Sequence, residues 1–281
     1  MGNEAMHDWT DIWWVRLLAI VAGSGLAAAA AWRARALSAS GAWSAFAMGA
    51  GFMAFGSPVW IGTLLVFFIS SSFWSKWKKR HRQKQAAEAN YAKSGRRDAG
   101  QVWANGGLGL AICAANAIWP AEGWLYAFAG VMAAVNADTW ATEIGALSRS
   151  APRSLLSGKV VKAGTSGGVT LLGSAAAAGG ALLIGVSMTV LPGGTGYPVM
   201  VLIAAAAIGG LFGAFADSFL GATVQAMYAC PACGAETERT THCGIPTRKT
   251  RGFGFMTNDA VNMVSSAFAG LVAIGIGMLL S

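Results

Sequence analysis

Long apolar runs alternate with short polar segments along this sequence, and most runs are close to the roughly 20 residues that cross a bilayer as one helix. Ser57-Pro58, Trp119-Pro120 and Pro192-Gly193-Gly194 interrupt runs that would otherwise be continuous. The pattern predicts about eight membrane-spanning helices in one all-α transmembrane domain, residues 1–281, with helices near 12–31, 41–56, 59–75, 102–118, 124–147, 167–190, 199–225 and 257–280.

The composition supports a membrane protein. Of 281 residues, 55% are hydrophobic and only 11% are charged, which is too few charges to cover a soluble domain. The first eleven residues are acidic rather than basic, so the first apolar run does not resemble a cleaved signal peptide. The net charge of +8 could indicate nucleic-acid binding, but in a membrane protein basic loops more often report topology or anionic ligands, and no nucleic-acid partner is expected.

Basic residues are distributed on one side only. Apart from Arg16, nineteen of the twenty Lys and Arg residues fall in or beside four segments, 32–40, 76–101, 148–166 and 226–256. The intervening loops carry acids such as Glu4, Asp8 and Glu122 and no Lys or Arg. The positive-inside rule therefore predicts that both termini lie outside, with a basic cytosolic loop at 76–101 and a cytosolic Cys/His loop at 226–256. The expected location is a bacterial inner (plasma) membrane.

Four carboxylates lie within the predicted spans: Asp138, Glu143, Asp217 and Asp259. A charged side chain at the bilayer centre costs roughly 2.5–3.5 kcal/mol, so such residues usually mark a functional site. Asp138 and Asp217 lie on helical stripes of small residues, where membrane helices pack closely, and the sequence around Asp138 recurs around Asp217 as Ala-Asp-Ser-Phe for Ala-Asp-Thr-Trp.

The three aspartates are expected to converge near the cytosolic side. Their oxygen ligands, with Asn258 and Asn262 on the face of Asp259, suit Mg²⁺. Alternatively, these carboxylates hydrogen-bond to neighbouring helices or pair with Lys and Arg at the interface.

A basic segment follows the Asp138 helix. Arg149, Arg153, Lys159 and Lys162 are interspersed with hydroxyl residues, and Gly164-Thr165-Ser166-Gly167-Gly168 would open the sixth helix. A glycine-rich turn at a helix N-terminus presents N–H groups to phosphate, although no P-loop motif occurs. The alternative is an ordinary positive-inside loop whose helix is capped by Thr165 or Ser166.

Three of the four cysteines lie in the 226–256 loop, as Cys230-Pro-Ala-Cys233-Gly and His242-Cys243-Gly. The first half resembles a zinc knuckle, and a structural zinc held by three cysteines and one histidine is predicted. Adjacent His and Cys make an unusual ligand pair, so the alternative is a set of reduced thiols. Cys113 is predicted to pack within its helix.

Taken in order, these motifs are similar to one known family. The segment Asn136-Ala-Asp138-Thr-Trp-Ala-Thr-Glu143-Ile-Gly145, the Gly164–Gly168 turn, Asp217-Ser-Phe-Leu-Gly-Ala-Thr, the Cys230 knuckle and Asn258-Asp259-Ala-Val-Asn262 resemble the integral-membrane phytyl-phosphate kinases of vitamin E biosynthesis and their prokaryotic relatives. The likeness begins at Gln101-Val-Trp-Ala-Asn105-Gly and runs to the C-terminus. A fainter likeness links residues 138–168 to CTP-dependent polyprenol kinases and phosphatidate cytidylyltransferases, from which this chain departs by the split Ser150-Ala-Pro152 and by having no Glu before Gly164.

The resemblance implies a kinase that converts a phytyl or geranylgeranyl monophosphate to the diphosphate, using a nucleoside triphosphate such as CTP. It implies Mg²⁺ at Asp138, Asp217 and Asp259, a catalytic Lys159, and a prenyl tail held between helices. Phosphate would be bound by Arg153, Lys162, Gly164, Thr165, Ser166, Gly167 and Asn105, with Asn136, Thr142, Glu143, Asn258 and Asn262 in supporting positions. The rival interpretations are a polyprenol kinase or lipid cytidylyltransferase that uses the same metal site, and an ion-coupled transporter.

Overall fold

The computed structural model describes residues 13–77, 84, 85, 88, 91–93, 95–194 and 196–281. These residues contain eight long helices: α1 (Trp13–Arg33), α2 (Ala39–Phe55), α3 (Pro58–Lys76), α4 (Ala99–Ile118), α5 (Glu122–Gly145), α6 (Leu171–Val190), α7 (Val199–Thr223) and α8 (Asn258–Leu280). The predicted helical bundle is confirmed, and every helix overlaps its predicted span closely. The acidic residues Glu4 and Asp8, and much of the basic run at 78–90, lie outside the described residues.

Five described helices, α1, α3, α6, α7 and α8, are long and apolar enough by length and composition to cross a membrane. Of the others, α2 has 17 residues, and α4 and α5 carry polar side chains such as Asn105 and Asp138.

Helix α5 is the centre of the bundle and packs against α3, α4, α6, α7 and α8. Its residues from Leu125 to Ala137 are all buried. Close packing here depends on small side chains: a Cβ added at Gly210 of α7 would lie 2.8 Å from the Cβ atoms of Ala133 and Ala181. The small-residue stripe that contains Asp217 therefore lies against α5, as helix packing in membranes favours.

The four basic segments meet at one end of the bundle. The Ser38 N–H donates to the Arg97 carbonyl at 3.0 Å, the Ala92 N–H donates to Glu238 at 3.1 Å, and Ser166 donates to Gln225 at 2.8 Å. At the opposite end, the C-terminal Ser281 lies against Tyr126, near the start of α5, with 2.7 Å between the two hydroxyls. The basic segments and the C-terminus therefore lie at opposite ends of the bundle, as expected if successive loops alternate between its two ends.

The connecting segments at the basic end contain short strands that the all-helical prediction did not include. Strand β1 (Arg153–Ser154) pairs antiparallel with β2 (Gly168–Val169). In the Cys/His loop, β3 (Met227–Ala229) lies between β4 (Glu236–Thr237) and β7 (Arg248–Arg251), while β5 (Thr241–His242) pairs with β6 (Ile245–Pro246).

The prediction that the sixth helix begins at residue 167 was wrong. Gly164 and Gly167 both have φ of +80°, a left-handed conformation that a right-handed helix excludes. The helix begins at Leu171 instead, because the Thr170 side chain accepts the Gly173 N–H at 3.0 Å as its N-cap.

Candidate active site

A polar cavity of about 830 Å³ opens at the basic end of the bundle. Helices α4, α5, α7 and α8 contribute its walls, together with the β1–β2 segment and the loops 91–98 and 224–257. Most of the sequence-predicted residues line it: Asn105, Asp138, Thr142, Glu143, Gly164, Thr165, Ser166, Gly167, Asp217, Asn258, Asp259 and Asn262. Residues distant in the sequence therefore share one cavity, although Asn136, Arg153, Lys159 and Lys162 are absent from its walls.

Asp138 and Asp217 are presented by the packed helices α5 and α7 and line the same cavity. Ser265 of α8 donates to Asp217 Oδ2 at 3.1 Å and, alternatively, to the Asn262 carbonyl at 3.1 Å. None of the ion pairs within the described ranges includes Asp138 or Asp217. The alternative in which Lys or Arg at the interface neutralises these two aspartates therefore has no support in the described residues.

A buried side-chain oxygen of Asn262 has no hydrogen-bond partner among the described residues. Its amide nitrogen donates to Asn105 Oδ1 at 3.4 Å, so the oxygen is the acceptor left over. An orphaned buried acceptor is costly unless a cation or a donor binds it. Asp138, Asp217 and Asn262 line the same cavity, and their side-chain oxygens are of the kind that Mg²⁺ prefers as ligands.

Asp259, in the first turn of α8, is held differently from the other two aspartates. Lys93 Nζ lies 2.5 Å from Asp259 Oδ2 and 3.0 Å from Asp98 Oδ2, which joins the 91–98 loop to α8. Burial lowers the pKa of Lys93, but the two carboxylates outweigh it and raise that pKa overall. The predicted triad is therefore split, since Asp259 already has a cationic partner and the three carboxylates do not form a compact ligand cluster in the described residues.

Glu143 and Asn136 stabilise the bundle. Glu143 accepts a hydrogen bond from Ser75 at 2.5 Å and forms an ion pair with the buried Lys84, whose ammonium also caps α3 through the carbonyl of Trp74. Asn136 is fully buried, accepting from Ser70 and donating to the Gly180 carbonyl at 2.8 Å. Both residues therefore make contacts between helices, and their supporting role at the site stays a prediction.

The basic segment after α5 folds partly away from the cavity. The Arg153 guanidinium donates to the Gly158 carbonyl at 2.9 Å within its own hairpin, and Lys159 and Lys162 are exposed. The positions of these three cations do not support the predicted phosphate contacts, because the β1–β2 pairing turns this stretch outward. The glycine turn remains on the wall, since Gly167 packs directly against Ala222 of α7.

Among the cavity residues that sequence reasoning missed are Arg97, Tyr91 and Glu238. Glu238 accepts from Gln225 at 2.8 Å and from the Ala92 N–H at 3.1 Å, and burial raises the pKa of its carboxyl. All three lie in loops whose sequence has no periodicity, so only tertiary contacts place them at the site. Loop 91–98 contacts loop 224–257 through Ala92 and Glu238, whereas Arg97 contacts Ser71 and Ser72 of α3.

The Cys/His loop brings four ligand atoms together. Those of Cys230, Cys233, His242 and Cys243 all lie within 4.8 Å of one another. The Sγ atoms of Cys243 and Cys233 are 3.7 Å apart, and a zinc tetrahedron with Zn–S bonds of about 2.3 Å requires about 3.8 Å.

The adjacent His and Cys converge because of an unusual backbone conformation. Cys243 has φ of +52°, and its Sγ lies 3.3 Å from Nδ1 of its neighbour His242. This left-handed residue resolves the difficulty that the sequence posed for adjacent ligands. Cys113, outside this loop, is buried among the helices, as predicted.

Comparison with known proteins assigns the chain to a family. Residues 22–270 match the integral membrane protein family DUF92. Protein PGR of Arabidopsis thaliana is 29% identical over 227 residues, covering 72% of this chain and 76% of its own length. An uncharacterized membrane protein of Methanocaldococcus jannaschii, MJ0933, is 28% identical over 173 residues, covering 62% and 59% respectively. No solved structure matches. The sequence-based recognition is confirmed at the level of the family: this chain is an integral membrane protein and belongs to DUF92.

Proposed function

We propose that this protein is a membrane kinase that transfers the γ-phosphoryl group of a nucleoside triphosphate such as CTP to a prenyl monophosphate such as phytyl or geranylgeranyl phosphate. The observation that carries the proposal is the 830 Å³ cavity at the basic end of the bundle, which Asp138, Asp217, the glycine turn and the cations Arg97 and Arg149 all line. Acidic groups beside cations and free N–H groups are the components that phosphoryl transfer requires.

The reaction needs positioning more than base catalysis. A phosphate oxygen of the acceptor attacks the donor γ-phosphorus, and the bond from that phosphorus to the β–γ bridging oxygen breaks. The products are the prenyl diphosphate and the nucleoside diphosphate. Because the acceptor oxygen is already anionic, no residue has to remove a proton from it.

The oxygens of Asp138, Asp217 and Asn262 would hold Mg²⁺. When bound, Mg²⁺ would neutralise charge on the donor phosphates. The cavity cations Arg97 and Arg149 would orient phosphate oxygens and exclude water from the transferred group. The Gly164–Gly168 turn would add those of its N–H groups that do not already donate to carbonyls, as the N–H groups of Thr165 and Gly168 do. Glu143 would hold the α3–α5 contact in place through Ser75 and Lys84.

The Cys/His loop would bind one structural Zn²⁺. A four-ligand site without an open position supports folding rather than chemistry. Its place beside the cavity supports a role in holding Glu238 and the rest of loop 224–257 in position.

The proposal is tested by incubating the purified protein in detergent with Mg²⁺, γ-labelled CTP or ATP, and geranylgeranyl phosphate. Labelled prenyl diphosphate is expected, and Asp138→Asn should lose it while Glu122→Gln at the far end of α5 retains it. Labelled monophosphate from the free alcohol would instead indicate a polyprenol kinase, and pyrophosphate release a cytidylyltransferase. Gradient-driven uptake into liposomes, with no phosphoryl transfer to any acceptor, would establish the transporter.

A further inference from the structure

A second cavity, of about 330 Å³, lies between helices α1, α2, α3 and α4. Its walls are almost entirely apolar, with Ala28, Gly49, Met53 and Leu64 as examples from three of these helices. This volume is in the range of sites that bury small amphiphilic ligands. The packing of α1–α4 thus leaves an apolar space between these four helices.

The two cavities meet at three polar residues, because Arg97, Gln101 and Asn105 line both of them. The apolar cavity is therefore closed at its basic end by a cation and two amides, beyond which lie Asp138 and Asp217. An apolar chamber that ends in a cation next to a carboxylate-lined site is complementary to an amphiphilic anion. Its walls match an apolar tail, and its cation matches an anionic head group.

Arg97 is fixed in place by contacts with uncharged side chains. Its guanidinium donates to Ser71 at 3.0 Å and to Ser72 at 3.2 Å, and its central carbon lies 5.7 and 5.6 Å from the ring centroids of Phe67 and Phe68. No ion pair in the described parts of the chain includes Arg97. A guanidinium has five N–H donors and binds phosphate through two at once, so donors remain for a ligand.

We propose that the apolar cavity holds the prenyl tail of the acceptor and that Arg97 binds the acceptor phosphate. The acceptor would lie with its tail among α1–α4 and its phosphate at the junction of the two cavities, facing the nucleotide in the polar cavity. This assignment rests on the proposed kinase function, and it separates the two substrates: Arg97, Gln101 and Asn105 serve the lipid, while the glycine turn and Arg149 serve the nucleotide.

The tail placement is tested without turnover, using geranylgeranyl phosphate that carries a diazirine at the far end of its tail. The full-length protein in detergent, without nucleotide, is irradiated and its labelled peptides are identified by mass spectrometry. Labelling of α1–α4 that unlabelled geranylgeranyl phosphate displaces is expected. Displaceable labelling confined to α6–α8, or labelling that no prenyl phosphate displaces, would overturn the placement.

Matched variants test whether Arg97, and not its neighbour Arg96, binds the acceptor phosphate. Arg97→Gln should raise the concentration for half-maximal labelling about tenfold or more, because it removes a charge-assisted phosphate contact. Arg96→Gln, its exposed neighbour, should not, and Arg97→Lys should recover part of the loss. Equal labelling by the Arg96 and Arg97 variants would remove Arg97 from the site.

A filling substitution tests the apolar cavity independently. Ala45 of α2 lines the cavity, and Ala47, two residues further along the helix, is exposed. Ala45→Phe should weaken geranylgeranyl phosphate labelling about tenfold, with a smaller effect on a ten-carbon probe, and Ala47→Phe should leave both unchanged. Unchanged binding in Ala45→Phe would overturn the tail placement.

This test is distinct from the kinase test. Diphosphate formation combined with labelling outside α1–α4 would retain the kinase and reject the tail site. Displaceable labelling of α1–α4 without phosphoryl transfer would retain the lipid site and reject the kinase.

Discussion

Two groups of potential metal ligands lie at the same end of this protein and are built in opposite ways. Asp138 and Asp217 project from two packed helices into an open cavity, whereas the Cys230–Cys243 group closes on itself within one short loop. Structural metal sites are closed and catalytic ones keep an open position. Helix packing therefore sets the geometry of the aspartate group, whereas local backbone turns set the geometry of the Cys/His group.

The largest effect on activity is expected from substitutions of the two carboxylates. Asp138→Asn and Asp217→Asn should each lower kcat about a hundredfold or more, because each removes a charge that acts in the transition state. Both variants should still insert, fold and retain any zinc, as measured by size-exclusion chromatography and metal analysis. Near-normal kinetics in either variant, with Glu122→Gln as the control, would contradict the catalytic role.

The cysteine group should show the reverse behaviour. Protein purified without chelator should contain about one equivalent of zinc, and Cys233→Ser should lose it, since one of four ligands is removed. Protease sensitivity in the 226–256 loop should rise more than activity falls, while Cys113→Ser changes neither. Metal analysis that finds no zinc in the unmodified protein would instead support the alternative of reduced thiols without a metal.

The helical frame of the carboxylate site can be tested by stability. Gly210→Ala should destabilise the bundle by about 1–3 kcal/mol, because the new methyl group would overlap Ala133 and Ala181. Gly25→Ala on α1 is the matched control, since its Cβ would lie 3.8 Å from Phe46 at ordinary contact. Thermal unfolding in detergent measures both, and equal midpoints would show that α5 and α7 can separate without cost.

The smallest effects are expected at the exposed lysines of the segment after α5. Lys159→Ala and Lys162→Ala should change kcat/KM by no more than about twofold, because neither side chain lines the cavity and substitutions on the exposed surface usually have small effects. Arg149→Ala, on the cavity wall, should raise the nucleotide KM about tenfold. A large effect at Lys159 would mean that this hairpin folds over the nucleotide, as the sequence alone suggested.

The number and positions of the helices could be predicted from the sequence alone. Apolar runs of membrane length, broken by proline and glycine, set the eight helices to within a few residues, since hydrocarbon demands continuous apolar helices. It also singled out Asp138 and Asp217, because carboxylates are expensive in such helices, and the Cys/His group, because its residues are close along the chain.

Which side chains share the cavity depends on the tertiary structure. Arg97 and Glu238 reach the site through loop contacts with no periodic signal, and Lys93 binds Asp259 from 166 residues away. The left-handed Gly164 and Gly167 turned the predicted phosphate loop into a strand pair that leaves Lys159 outside. Local pattern determines where a membrane helix begins and ends, but the contacts between loops depend on how the helices pack, and no single segment encodes that.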